Sequence, residues 1–182
     1  MATISNKETA LLGMLTEKPM HAYEIETSIN ERSMRDWTEI SMSSVYKLLN
    51  KLEKEGLLKS SVELSNKNVA QKVYSLTPKG KKGVKDKVID LLSEPEKMVY
   101  QVDLATSHMW LLNKKEALVC LEKYEKRLTE GVKCYKELEK FLLDCGCPKH
   151  RMALARRPQY LLKAELEWVK AYKKDLDEKE LR

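Results

Sequence analysis

Between Ser43 and Lys54 the chain carries hydroxyl, amide and ammonium side chains at steps near one helical turn: Ser43, Tyr46, Lys47, Asn50 and Lys54. On a helix these project from one side, while Val45, Leu48, Leu49 and Leu52 share the other. Such a set matches what duplex DNA asks of a protein. Asparagine can bond an adenine edge twice, lysine can meet guanine or a phosphate, and serine or tyrosine hydroxyls can reach phosphate oxygens. Ser44 and Lys51 flank the same face and join the candidate contacts. An ordinary solvated helix face has the same composition, so the meaning of this one depends on its surroundings.

A second cluster follows at once. Leu57, Leu58, Val62 and Leu64 lead into a polar turn at 65–68, and residues 69–76 resume with Val, Tyr and alternating polar residues, the pattern of a β-hairpin. Lys67 and Asn68 fall near its tip, with Gln71 and Lys72 on the returning strand, where phosphate or minor-groove contact is expected. Net charge over the whole chain is +6, but from Lys59 to Lys87 eight lysines face only Glu63 and Asp86, whereas residues 1–40 hold four basic and seven acidic side chains. The positive charge is therefore local, which a polyanionic partner would exploit.

Other chemistry finds little support. The sequence has no Gly-rich phosphate loop, nucleophile elbow or metalloprotease helix, so neither catalysis nor a cofactor is expected. Cys134, Cys145, Cys147 and His150 lack paired Cys-x-x-Cys spacing, so no metal site is expected. These cysteines and Cys120 all lie after residue 119 rather than spread as a secreted disulfide framework, and read as free thiols in a reducing compartment. Cys145 and Cys147 could also form a redox pair. Apolar runs are short, and the N-terminus lacks a basic stretch followed by an apolar core, so no membrane contact and a cytoplasmic location are expected.

Three helices must position the first cluster. Ser5 with Glu8 three residues later forms a capping-box start for a helix reaching about Leu15. Pro19 blocks its continuation, and a second helix follows with Ala22, Ile25 and Ile29 on one side, ending near Arg32. The Ser-rich segment at 41–44 opens the third, which stops at Gly56, where a left-handed closing residue is favoured. After the hairpin, Thr77 caps a fourth helix with Pro78 at its first position, running to about Leu92. Three helices followed by a lysine-bearing hairpin make a winged helix-turn-helix, so the fold class is mainly α with a small β-hairpin wing. The polar, pattern-breaking stretch 93–96 sets the boundary: residues 1–92 form the DNA-binding domain and 93–182 a helical domain.

In that second half Ala117, Leu121, Tyr124, Leu128, Gly131, Tyr135, Leu138, Leu142 and Cys145 recur at steps of four and three, a heptad seam on a helix from about Lys115 to Cys145, roughly 45 Å long at ~1.5 Å per residue. It calls for a long partner helix. Gly146 and Pro148 end it. A last helix is expected from about Arg157 to Glu180, with Leu161, Ala164, Trp168 and Tyr172 on one stripe and Leu162, Leu166, Val169 and Leu176 on the next. So broad an apolar face must meet two neighbours, one of them from another subunit of a homodimer.

The first half resembles the PadR family of bacterial transcriptional regulators. The resemblance is carried by residues 12–15 (LGML), 19–25 (PMHAYEI), 44–57 (SVYKLLNKLEKEGL) and 73–80 (VYSLTPKG), in matching order and spacing across residues 10–80. The C-terminal half resembles the long-tailed branch of the family in length and helical pattern, with 165–168 the best local match. Two small residues depart from the family pattern: Ala22 stands where glycine is usual, and Ser43 where glycine is common. The resemblance implies a repressor that dimerises through its C-terminal helices and binds a near-palindromic double-stranded operator with one winged helix per half-site. A small molecule, often aromatic or hydrophobic in the family, releases it. Half-sites ~34 Å apart need two reading heads at fixed separation, which rigid helices can supply. His21, at the start of the second helix near where a DNA phosphate could approach, and Tyr23 beside it join the DNA-contact set. Trp110, Leu161, Trp168, Tyr172 and Tyr100 are assigned to the effector site or dimer interface. The rival reading is a winged helix used as a protein-interaction adaptor without specific DNA binding.

Overall fold

The computed structural model describes residues 4–41, 45–64 and 68–178. The chain divides into two compact units, Met1–Lys97 and Met98–Arg182. The first unit runs α1 (Asn6–Met14), β1 (Met20–His21), α2 (Ala22–Glu31), a 3-10 turn (Met34–Asp36), α3 (Val45–Lys54), β2 (Leu58–Leu64), β3 (Ala70–Leu76) and α4 (Pro78–Ser93). The second holds α5 (Gln101–Ser107), a 3-10 turn (Met109–Leu111), α6 (Lys114–Asp144) and α7 (Lys149–Glu178). The winged helix-turn-helix with a helical C-terminal half is as expected from the sequence.

Local chemistry explains most boundaries. The α1 capping box is present: Ser5 Oγ accepts from Glu8 N–H, and the Glu8 carboxylate accepts from Ser5 N–H at 2.7 Å. At the end of α3, Gly56 takes φ +71°, and its N–H donates to Glu53 O while Leu57 N–H reaches back to Leu52 O. This Schellman closure turns the chain into the wing and buries Leu57. Gly146, at φ +65°, closes α6 in the same way, with Cys147 N–H on Leu142 O.

The sheet order is β1-β3-β2, antiparallel throughout, with Met20 opposite Tyr74 and Ser60 opposite Tyr74 on its other side. β1 has only two residues, too short to leave a period in the sequence, and was not expected. It ties the start of α2 to the wing. Beneath it lies one apolar core, including Leu11, Leu12, Met20, Ile25, Ile29, Val45, Leu49, Leu52 and Tyr74.

α4 docks very closely. The Leu57 carbonyl accepts Thr77 N–H at 3.1 Å, the Thr77 hydroxyl donates to Gly56 O at 2.8 Å, and the same hydroxyl accepts Gly80 N–H. A Cβ on Gly80 would lie 2.1 Å from the Leu57 carbonyl oxygen, so only glycine lets the first turn of α4 sit there.

In the second unit α6 and α7 form an antiparallel helical hairpin. Met109, Ala117, Leu121, Leu128, Val169 and Leu176 make its core, with Leu162, Leu166 and Tyr172 packed against it. The partner of the heptad seam is thus α7 of the same chain, because the tight turn at Gly146 folds the helix back on itself. Two other expectations are corrected. α7 begins at Lys149, eight residues before the expected start near Arg157, and runs through Pro158. α5 also escaped the pattern, being short and without a buried residue.

The Gly80 contact yields a direct test. Gly80→Ala should lower unfolding stability by about 1–3 kcal/mol through overpacking against backbone. Gly13→Ala, where an added methyl meets nothing within 4 Å, should be neutral or slightly stabilising. Urea unfolding of the two full-length variants measures the contrast.

Candidate nucleic-acid interface

α3 is amphipathic as expected. Val45, Leu49 and Leu52 are fully buried, and the opposite face presents Tyr46, Lys47, Asn50, Lys51 and Lys54 to solvent. Tyr46, Asn50 and Lys54 stand one turn apart in a row, with Lys47 beside them. Among the described residues, no side-chain hydrogen bond or ion pair engages Tyr46, Lys47, Asn50 or Lys54. Their donors and acceptors are available to a ligand. Ser43, Ser44 and Lys67 lie outside the described residues.

Lys51 has a different role. Its Nζ lies 2.6 Å from Glu8 Oε1 and 3.7 Å from Glu55 Oε1. Glu8 is only 4% exposed, and its other oxygen serves the α1 capping box. Burial pushes the Glu8 carboxyl up, but hydrogen bonds from Lys51 and Ser5 outweigh it and hold the group below the usual carboxylate range. Lys51 therefore anchors α3 to α1, and any phosphate would compete with a buried carboxylate for it.

Lys72 is likewise held. Its Nζ is 2.6 Å from Glu53 Oε2 and 5.1 Å from the centre of the Tyr74 ring. Glu53 also accepts from the Ser60 hydroxyl, and with Lys72 foremost these bonds lower its carboxyl pKa. One acidic residue of α3 thus clamps both strands of the wing beside the reading helix. Asn68 is exposed and left-handed, φ +55°, a conformation asparagine tolerates.

His21 caps α2: its Nδ1 accepts Glu24 N–H at 3.0 Å, so the neutral ring carries its proton on Nε2. Tyr23 is 73% exposed, its ring stacked near that of His21 with centroids 6.4 Å apart. Both sit at the N-terminal end of a helix, where the backbone dipole favours anions. Because β1 pairs His21 with Val73, this end of α2 belongs to the same sheet as the wing.

The second group of candidates is only partly gathered. Trp168 stacks on Tyr172 with centroids 5.2 Å apart, and the Tyr172 hydroxyl lies 3.9 Å from the Met109 sulfur. Tyr100 lines a cavity between α5 and α6 that none of the other four reaches. Trp110 and Leu161 stand exposed on separate elements. Cys120, Cys134 and Cys145 are exposed free thiols and Cys147 is partly covered; among the described residues no cluster of His, Cys, Asp or Glu could hold a metal ion.

A three-helix head with an open polar helix face and a clamped wing is a winged helix-turn-helix. Residues 11–86 match the family model described as the transcriptional regulator PadR-like family. Over those residues the chain is similar to PadR-like transcriptional regulators. Its fold is that of Bacillus subtilis PadR. The crystal structure of that protein in complex with operator DNA is 20% identical, with a TM-score of 0.74 over 93% of this chain and 98% of the other. The same protein in complex with p-coumaric acid is 18% identical, with a TM-score of 0.75 over 95% and 99%. No curated protein sequence matches the chain.

Glu8 provides the pH test. Its lowered pKa means that its contribution to stability is fully present above the unfolded value near 4.5 and is lost as pH falls through the lower folded value. The stability gap between wild type and Glu8→Gln should be widest near neutral pH and close in acid. A gap that persists unchanged to the lowest pH at which the fold survives would contradict the pairing.

Proposed function

We propose that this protein is a cytoplasmic repressor that binds a near-palindromic double-stranded operator as a homodimer, one winged helix per half-site, and is released by a small hydrophobic or aromatic effector. Residues 1–92 read DNA and 93–182 dimerise and sense. The observation that carries the reading is the open row Tyr46, Lys47, Asn50 on a helix that commits Lys51, one of its three lysines, to internal structure. Asn50 reads a base edge, Lys47 a guanine or phosphate, and Tyr46 the backbone. The clamped wing lays Asn68 along the flanking strand, with Lys67 assigned to the same contact. Bacillus subtilis PadR, the structural neighbour, is known in complex with operator DNA and with p-coumaric acid, which supports both halves of the proposal.

Support for the dimer comes from α7. Leu154, Leu161 and Trp168 recur every seven residues and remain exposed, while Val169 and Leu176 are buried against α6. A second copy covering that outer stripe would complete the helix's burial. Free thiols accord with a reducing cytoplasm.

A salt-titrated mobility assay on the upstream region of the protein's own gene tests the DNA reading. A dimer touching ~6–10 phosphates should lose ~10³–10⁵ in affinity between ~50 and ~200 mM salt. Asn50→Ala should cost about 1–3 kcal/mol and relax sequence preference, whereas Lys47→Ala, if it meets phosphate, weakens all sequences alike. An adaptor would show neither effect. Trp168→Glu with Leu161→Glu should shift the solution mass from dimer to monomer; a double variant that stays dimeric would remove α7 from the interface.

A further inference from the structure

Within the second unit, α5, the following 3-10 turn and the first half of α6 line a half-open cavity of about 560 Å³, a size typical of small-molecule sites. Its walls are mostly apolar, including Val102, Ala105, Met109 and Leu121, with the rings of Tyr100 and Tyr124 in the lining. Among the described residues none that lines it bears a formal charge, and none is lysine, arginine or histidine. Polar residues of the lining include Gln101, Thr106 and Tyr124, and the Tyr124 hydroxyl donates its one proton to Glu165 Oε1 at 3.0 Å. Its oxygen therefore remains an acceptor toward a ligand, backed by a carboxylate.

We infer that this cavity is the effector site and that it takes a small aromatic molecule bearing a hydrogen-bond donor and no carboxylate, neutral or cationic. The inference rests on the regulator reading above. An aromatic acid bound here would set an anion against a mostly apolar wall with no cationic partner among the described lining residues and with Glu165 behind the Tyr124 hydroxyl, an arrangement that desolvation and like charge both oppose. Tyr124 itself reports that field. Burial first, then its bond to Glu165, pushes its hydroxyl up to about 12, with further contributions from Tyr100 and Asp103, so a negative charge on this wall is disfavoured. A donor such as a phenol, amide or ammonium group meets an acceptor instead.

Calorimetric titration of the full-length protein with three phenols of one scaffold separates the classes: 4-hydroxyphenylacetamide, tyramine and 4-hydroxyphenylacetate. The amide and the amine should bind, and the acid at least about tenfold more weakly, equivalent to ~1.4 kcal/mol. Ala105→Phe, a solvent-exposed wall position, should abolish binding while leaving the thermal midpoint near that of wild type, and Tyr124→Phe should weaken the amide about three- to tenfold. Equal or tighter binding of the acid overturns the ligand class. Binding unaffected by Ala105→Phe overturns the location, as does an altered solution mass in Ala105→Phe with no phenol bound, which would make the cavity an interface between copies. Operator affinity is measured separately. Amide binding that leaves it unchanged keeps the site and overturns the effector reading alone, whereas operator binding absent in every condition removes the regulator reading without touching the site.

Discussion

The winged-helix unit hangs on one carbonyl. Leu57 O sits where α3 has just closed, where the wing begins and where α4 crosses; it accepts the Thr77 N–H and leaves no room for a side chain at Gly80. Gly56 turns the chain out of the reading helix, and two residues later the first strand of the wing is under way. The angle between helix and wing is therefore fixed by backbone, with little left to side-chain packing. Charge then fixes what backbone does not. Glu8 holds Lys51 and through it the exposed side of α3; Glu53 holds Lys72 and Ser60 and through them both wing strands. In a basic protein it is the acids that position the exposed face of α3 and the wing.

Much of this was legible in the sequence because it is local. Caps, closing glycines and period are written within a few residues of where they act: Ser5 with Glu8, Gly56 after Leu52, Thr77 before Pro78. The open face of α3 followed from spacing alone. What could not be read joins distant residues. Lys51 looks like any other lysine on a polar face until Glu8, forty-three positions away, is seen beneath it. β1 is a strand only because β3 lies beside it. The expected start of α7 near Arg157 missed its first two turns, since the helix runs through Pro158 and is held there by its packing on α6.

The C-terminal unit shows the complementary limit. Period correctly marked two long helices but not their pairing, since a heptad seam is satisfied equally by a helix from the same chain or another. Gly146 decides, by returning α7 along α6. Aromatic residues were poor guides to the cavity, of which Tyr100 alone was anticipated. The lining comes mainly from Val102, Ala105, Met109 and Leu121, residues with no chemical signature of their own.

The internal ion pairs also bear on how such a regulator finds its address. A lysine already holding a carboxylate adds little to the general pull that any stretch of duplex exerts on a basic surface, because its counter-charge travels with it. Pairing Lys51 with Glu8 and Lys72 with Glu53 trims that indiscriminate attraction while leaving the uncharged Tyr46 and Asn50 untouched. On the proposed reading the protein would dwell more briefly on random sequence, fewer copies would be tied up along the chromosome, and a modest number of molecules would suffice to keep a single target occupied.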